Sequence, residues 1–199
     1  DKLHELQSAV KSIDSTLVGL AIEQGLLSSV TDTIYQYLPE YHHLDWSNGK
    51  EDLTIQDLLT MRTGMPCTDG TSGECNSHIL NQQQSWTEYT LNQPLTSQPG
   101  EAFSYFTGHN IVAHTILENV SGMKVRDFAR QYLFEPLEID QVVWSHSPSG
   151  EALSASMRPR DMAKFGQLFL NKGHWNRNRV ISEHWVDSAV YSHVPTDEW

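Results

Sequence analysis

A predominantly helical chain is what the sequence predicts, on three observations. Apolar residues recur at three- and four-residue steps through several segments, each bounded by a glycine stop or a proline. Only Gln141 to Trp144 reads as a strand, and no convincing sheet can be assembled from the rest. The chain is therefore all-helical or the helical part of something larger.

The first helix is expected from about His4 to Gln24. Leu6, Val10, Ile13, Leu17 and Leu20 step along one side, Val18 and Ile22 add apolar surface on another, and Gly25 supplies the stop. A helix apolar on most sides belongs at the centre of a protein. Val30 to Leu38 predicts a short helix ended by Pro39. Thr54 predicts a cap for Ile55 to Met61, with Asp57 near its start and Gly64 near its end. Two prolines between Asn92 and Glu101, with a Pro99-Gly100 turn, imply an extended approach to Phe103-Ser104-Tyr105. Thr107 or Gly108 then opens a helix through Val120, and Lys124 to Leu133 makes another before Pro136. A polar loop around Ser147 to Gly150 precedes Pro159, which launches a helix over Arg160 to Asn171, closed by Gly173. Ser182 caps a last helix from Glu183 to Tyr191.

The 199 residues, 38% of them hydrophobic and including six Trp and seven Tyr, suffice for one domain with a sizeable core. A net charge of -12 without any Lys/Arg cluster argues against nucleic acid and against an anionic membrane surface, and favours a neutral or small-molecule partner. The longest uncharged apolar run, Leu17 to Ile22, falls far short of the roughly 20 residues that span a bilayer. The chain starts at Asp1 without a methionine or signal sequence, so a targeting segment is expected to have been removed or not included. Cys67 and Cys75 flank a polar, Gly-rich loop that closes easily into a disulfide. That spacing favours an oxidising compartment over two free thiols, and a zinc pair is disfavoured because no Cys-x-x-Cys partner exists.

Ser8-Ala9-Val10-Lys11 carries the first chemical signal. At helical i, i+3 spacing the hydroxyl and the amine share one face, and an amine held in dry surroundings can take the proton of an attacking serine. The pattern recurs as Ser47 to Lys50, in an Asn-Gly turn, and as Ser121 to Lys124, across a helix break. Neither of those settings offers an apolar wall to depress the lysine pKa. Tyr105-Phe106-Thr107 is the second signal, because a phenol beside a lysine can pass a proton in either direction. Ten histidines include His42 and His43 near Asp45, but no His-Glu-x-x-His pair occurs and no metal is assigned.

Five segments then fall in a familiar order: Ser8-Ala9-Val10-Lys11-Ser12, Leu17 to Gly25, Leu58-Leu59-Thr60-Met61-Arg62-Thr63-Gly64, Pro99-Gly100-Glu101-Ala102-Phe103-Ser104-Tyr105 and Arg160 to Gly166. Together they resemble the serine β-lactamase and penicillin-binding-protein superfamily, most nearly its class C β-lactamase-related serine hydrolases, through nearly the whole chain. The resemblance implies an α+β fold of the β-lactamase/DD-peptidase type. The chain would be mostly its helical region, one domain over 1–199 incomplete at both ends and lacking the N- and C-terminal sheet strands. It makes Ser8 the nucleophile, Lys11 the activating amine and Tyr105 the proton shuttle. Thr107 stands where many members have an asparagine that touches the substrate or the lysine. The family's third motif, Lys-Thr-Gly or His-x-Gly on a strand, is not found; Arg62-Thr63-Gly64 precedes Tyr105 and reads as a helix end. The expected activity is hydrolysis of an ester, amide or β-lactam carbonyl through a Ser-bound acyl-enzyme. The substrate would be a small molecule or peptide-like, no cofactor would be needed, and the setting would be periplasmic or secreted. The alternative is a non-catalytic relative kept as a ligand sensor or scaffold.

Overall fold

The chain begins in a sheet, contrary to the helical expectation for its first residues. The computed structural model describes residues 2–194. Strand β1 (His4–Glu5) is followed by a 3-10 turn (Gln7–Ala9), and only then by helix α1 (Val10–Glu23), which ends two residues before Gly25. The segment expected as a helix over Val30 to Leu38 holds only a 3-10 turn, Ile34–Tyr37; Pro39 opens a second one, Pro39–Tyr41, instead of merely ending the first. Thr54 does cap α2 (Ile55–Leu59). Its hydroxyl accepts from the Asp57 N–H at 3.2 Å while the Asp57 carboxylate accepts from the Thr54 N–H at 2.9 Å.

Two short strands, β2 (Cys67–Thr68) and β3 (Cys75–Asn76), pair in parallel and are tied by a Cys67–Cys75 disulfide. Helices α3 (Ser77–Leu80) and α4 (Trp86–Leu91) lead to α5 (Gly108–Ser121), then α6 (Val125–Ala129), which runs into a π turn over Arg130–Phe134. Strands β4 (Val143–His146) and β5 (Ala152–Met157) precede α7 (Pro159–Leu170). A small hairpin, β6 (His174–Trp175) with β7 (Asn178–Arg179), and α8 (Glu183–Val190), capped by Ser182, complete the order.

The sheet that the sequence conceals has the order β1-β5-β4, antiparallel throughout, with His4 opposite Met157 and Trp144 opposite Ala155. Its central strand reads Ala-Leu-Ser-Ala-Ser-Met. Alanine and serine are weak strand formers, and the residues facing in are small rather than β-branched, so propensity does not flag it. Its burial comes from α5, which packs against β5 and also against α1, α2, α4 and α6. The result is an α+β architecture: a small sheet on one side of a helical layer centred on α1 and α5, whose core includes Leu17, Val18, Ile111, Ile116, Phe106 and Phe128. Among the described residues no helix is long and apolar enough to cross a membrane.

Gly19 is required by packing. A Cβ there would stand 2.4 Å from the Trp185 ring, so the absence of a side chain lets α8 lie against α1. Gly19→Ala gains helix propensity yet must displace an indole, and is expected to cost a net 1–3 kcal/mol, on the order typical of overpacking, as a lowered unfolding midpoint in urea. An unchanged or raised midpoint contradicts this packing.

The helical layer also holds a buried ion pair. Asp14 on α1 lies 2.8 Å from Nε2 of His114 on α5, both side chains almost wholly inaccessible. Asn110 donates to the other Asp14 oxygen at 3.2 Å, and His114 Nδ1 lies 3.0 Å from the Ala152 carbonyl of β5. These contacts fix the helix that carries Lys11 to both α5 and the sheet.

Candidate active site

Ser8 is positioned from the sheet. The β1–β5 pairing continues through a bond from the Leu6 N–H to the Ala155 carbonyl, 2.8 Å, immediately ahead of it. Gln7 then adopts a left-handed conformation, φ +52°, a strain on the order of 1–3 kcal/mol that turns the chain sharply into the 3-10 turn bearing Ser8. Ser8 thus lies just before α1, not inside an α-helix as periodicity predicts. Lys11 falls in the first turn of α1, so hydroxyl and amine remain one turn apart.

Tyr105 is positioned from a pair of hydrogen-bonded loop segments. Residues 61–64 and 96–104 run together through bonds from Thr96 N–H to the Gly64 carbonyl (2.8 Å), Gly100 N–H to the Arg62 carbonyl (2.7 Å) and Ser104 N–H to the Met61 carbonyl (2.9 Å). Gly64, at φ +80°, has the Ser97 carbonyl oxygen only 2.2 Å from where a Cβ would be, so this turn admits only glycine. The Ser104 hydroxyl donates to the Cys67 carbonyl, and the Asp69 N–H donates to the Tyr105 carbonyl at 2.8 Å. Held on both sides, Tyr105 donates its phenolic O–H to Ser8 Oγ at 2.7 Å, across 97 residues of sequence.

Thr107 comes from the start of α5. Its hydroxyl does not cap the helix; it donates to Asp69 Oδ2 at 2.6 Å, while its N–H donates to Asp69 Oδ1 at 2.8 Å. Lys11 Nζ reaches toward this corner, making a long 3.4 Å bond to Thr107 Oγ1 and standing 5.1 Å from the centre of the Tyr105 ring. The structure therefore brings together all four residues singled out in the sequence. Ser8 is exposed, and Lys11, Tyr105 and Thr107 are half-buried, so the amine is not in the dry surroundings expected of it.

His109, one helical step beyond, is wholly buried against Phe106 with Nε2 3.0 Å from Thr63 Oγ1. Burial, reinforced by the Lys11 charge, pushes its pKa down to about 3, so it stays neutral and adds no second cation beside the amine.

The competing patterns resolve differently from their sequence reading in one case. Lys50 is buried, donates to the Leu91 carbonyl at 2.8 Å, and has a pKa lowered by burial against the opposing charge of Asp45. The expectation that no wall would depress it is overturned, because the Asn-Gly turn folds its amine inward beneath α4. Lys124 is ion-paired to Glu118 at 2.7 Å on the surface. His42 stacks on Tyr35, His43 sits against the Glu40 carbonyl, and among the described residues no group of three or more His, Cys, Asp or Glu could hold a metal ion.

Asp69 escaped the sequence reading. In Cys67-Thr68-Asp69-Gly70 an aspartate before glycine reads as a turn residue, and nothing local says that its carboxylate faces residue 107. Beside the phenol opens a cleft of ≈ 230 Å³, lined mainly by Leu59, Met61, Phe103, Tyr105, Tyr191 and Val194, with Thr60, Ser192 and His193 as its polar members. A larger one, ≈ 740 Å³ among Arg130, Glu138, Asp140 and Arg158, contains none of the four site residues.

An α+β domain in which a helix-start serine meets a lysine one turn on and a distant tyrosine defines a class of protein, and the chain belongs to the Beta-lactamase family, whose profile matches residues 1–190. Among curated proteins it is similar to the 6-aminohexanoate-dimer hydrolase of Paenarthrobacter ureafaciens, 25% identical over 209 residues covering 96% of this chain and 51% of that protein. Among solved structures it is similar to a penicillin-binding protein homologue from Caulobacter crescentus (TM-score 0.72, 15% identity, 96% of this chain and 62% of that one). A class C beta lactamase from Rhodobacter sphaeroides gives a TM-score of 0.68 at 21% identity, over 94% of this chain and 56% of that one. The chain thus spans about half the length of the curated hydrolase, at 51%.

Proposed function

We propose that this chain carries the nucleophile and proton-transfer half of a serine hydrolase acting on ester or amide carbonyls through an acyl-enzyme. The 2.7 Å contact between the Tyr105 phenol and Ser8 Oγ is the observation that carries this reading. Lys11 and Tyr105 jointly take the Ser8 proton as Oγ bonds to the substrate carbonyl carbon. The same proton passes to the leaving group as its bond to that carbon breaks. Water then adds to the acyl carbon, giving its proton through Tyr105 and Lys11, and the acid leaves as Ser8 recovers its hydrogen. The Ser8 N–H, at the opening of the helical turn, serves as one oxyanion donor, an interaction typically worth ~3 kcal/mol in the transition state.

Several features support this reading. The neighbouring cleft suits an apolar substituent of a neutral substrate, in keeping with a net charge of -12. A relative named as a hydrolase of the 6-aminohexanoate dimer favours water as the acyl acceptor. The Cys67–Cys75 disulfide supports a periplasmic or secreted setting. Turnover of a p-nitrophenyl ester and of the matching anilide by the full chain tests the proposal. Hydrolysis lost in Ser8→Ala is the expected result; equal turnover by the variant would remove Ser8 from the chemistry, and no turnover by the wild type would leave a binding module.

A further inference from the structure

We infer that Asp69 is a positioning residue for catalysis, fixing which way the Thr107 hydroxyl points and thereby keeping the Lys11 amine available to Ser8 and Tyr105. This rests on the acyl-enzyme reading above. Asp69 faces two donors at once: the Thr107 N–H at 2.8 Å and the Thr107 O–H at 2.6 Å. Only a group that accepts at both ends satisfies both, and an ionised carboxylate is that group. With its one hydrogen committed to Asp69, the Thr107 oxygen can present only lone pairs toward Lys11, so the amine must donate in their 3.4 Å contact. An amine that donates an N–H to Thr107 keeps its own lone pair, or its remaining hydrogens, for the Ser8 and Tyr105 side. Were the hydroxyl to turn round, it would donate to that lone pair and compete with the proton of Ser8.

Asp69 also donates its own N–H to the Tyr105 carbonyl at 2.8 Å, so one residue anchors the backbone of the phenol and the hydroxyl beside the amine. Its location is set by the disulfide two residues away, since Cys67 closes the loop onto Cys75 and its carbonyl accepts from Ser104.

Asp69→Asn is the informative variant, because an amide can accept from one Thr107 donor but must oppose a donor of its own to the other. The readout is the rate of fluorophosphonate labelling of Ser8 in the full chain, resolved into kinact and Ki. Asp69→Asn is expected to lower kinact about tenfold to a hundredfold with Ki unchanged, the scale of a lost hydrogen bond to a charged group. Thr107→Val should show the same loss, Thr107→Ser should retain most of the rate, and the double variant should be no slower than either single one. A wild-type kinact in Asp69→Asn, or losses that simply multiply in the double variant, overturns the inference while leaving the acyl-enzyme intact. If Asp69→Asn fails to fold, equal kinact for Thr107→Val and Thr107→Ser overturns it. Absence of Ser8 labelling in the wild type overturns the acyl-enzyme reading itself, and the inference with it.

Discussion

Lys11→Met is expected to slow acylation of Ser8 by about 10²- to 10⁴-fold, the range spanned by loss of a positioned acid–base group. Methionine keeps the unbranched stem that fills the first turn of α1 but removes every hydrogen bond and the charge 5.1 Å from the Tyr105 ring. Ser8 and Tyr105 would remain in contact, since their 2.7 Å bond depends on β1 and on the segment ahead of α5, not on the amine. The loss should therefore lie in kinact or kcat, with binding little changed. Tyr105→Phe should fall in the same range, and combining the two should cost less than the product of the single losses, because they move the same proton. Rates within threefold of wild type in Lys11→Met, by a stopped assay of probe incorporation over about ten minutes to hours, would remove the amine from the chemistry.

Asp14→Asn is expected to cost about 3–5 kcal/mol of unfolding free energy, measured by urea denaturation, because it strands a buried histidine beside a neutral amide. The side chains of Asp14 and His114 are 0% and 3% exposed, so water cannot compensate either one. The loss is pH-dependent, and its sign follows from His114. Burial alone would lower the imidazole pKa, but the Asp14 charge and the Ala152 carbonyl outweigh it and raise the value above the ordinary 6.5. A pKa raised on folding contributes stability that is complete below about 6.5 and disappears as pH rises through the folded value. The difference between wild type and Asp14→Asn should accordingly be widest in mildly acidic buffer and narrow toward alkaline pH. His109 acts oppositely, its pKa of about 3 withdrawing stability as pH falls below 6.5, but equally in both proteins. A difference that widens with rising pH would contradict the assignment of charge to His114.

The helices were legible where an apolar period coincided with chemical punctuation. α2, α5, α7 and α8 lie where Thr54, Gly108, Pro159 and Ser182 place them, within a few residues at their ends, and α1 ends where Gly25 places its stop. Periodicity failed wherever tertiary contacts fixed the backbone. Residues 4–9 continue the apolar step of α1, yet pairing with β5 and the left-handed Gln7 hold them out of the helix. The sheet was hidden because β5 is built from small residues whose burial is decided by α5 rather than by their own preference. At the site, Ser8, Lys11, Tyr105 and Thr107 each have a residue type that announces its chemistry. Asp69 has a residue type common in turns, and its partner lies 38 residues away, so only the fold reveals it.

Peptide mapping by mass spectrometry after exposure of the full chain to a fluorophosphonate tests the central claim most directly. The phosphonyl adduct is predicted on the peptide containing Ser8 and at that hydroxyl alone, with fluoride displaced and the adduct absent from Ser8→Ala. An adduct confined to another serine, such as Ser47 or Ser121, or an unmodified chain, would contradict it.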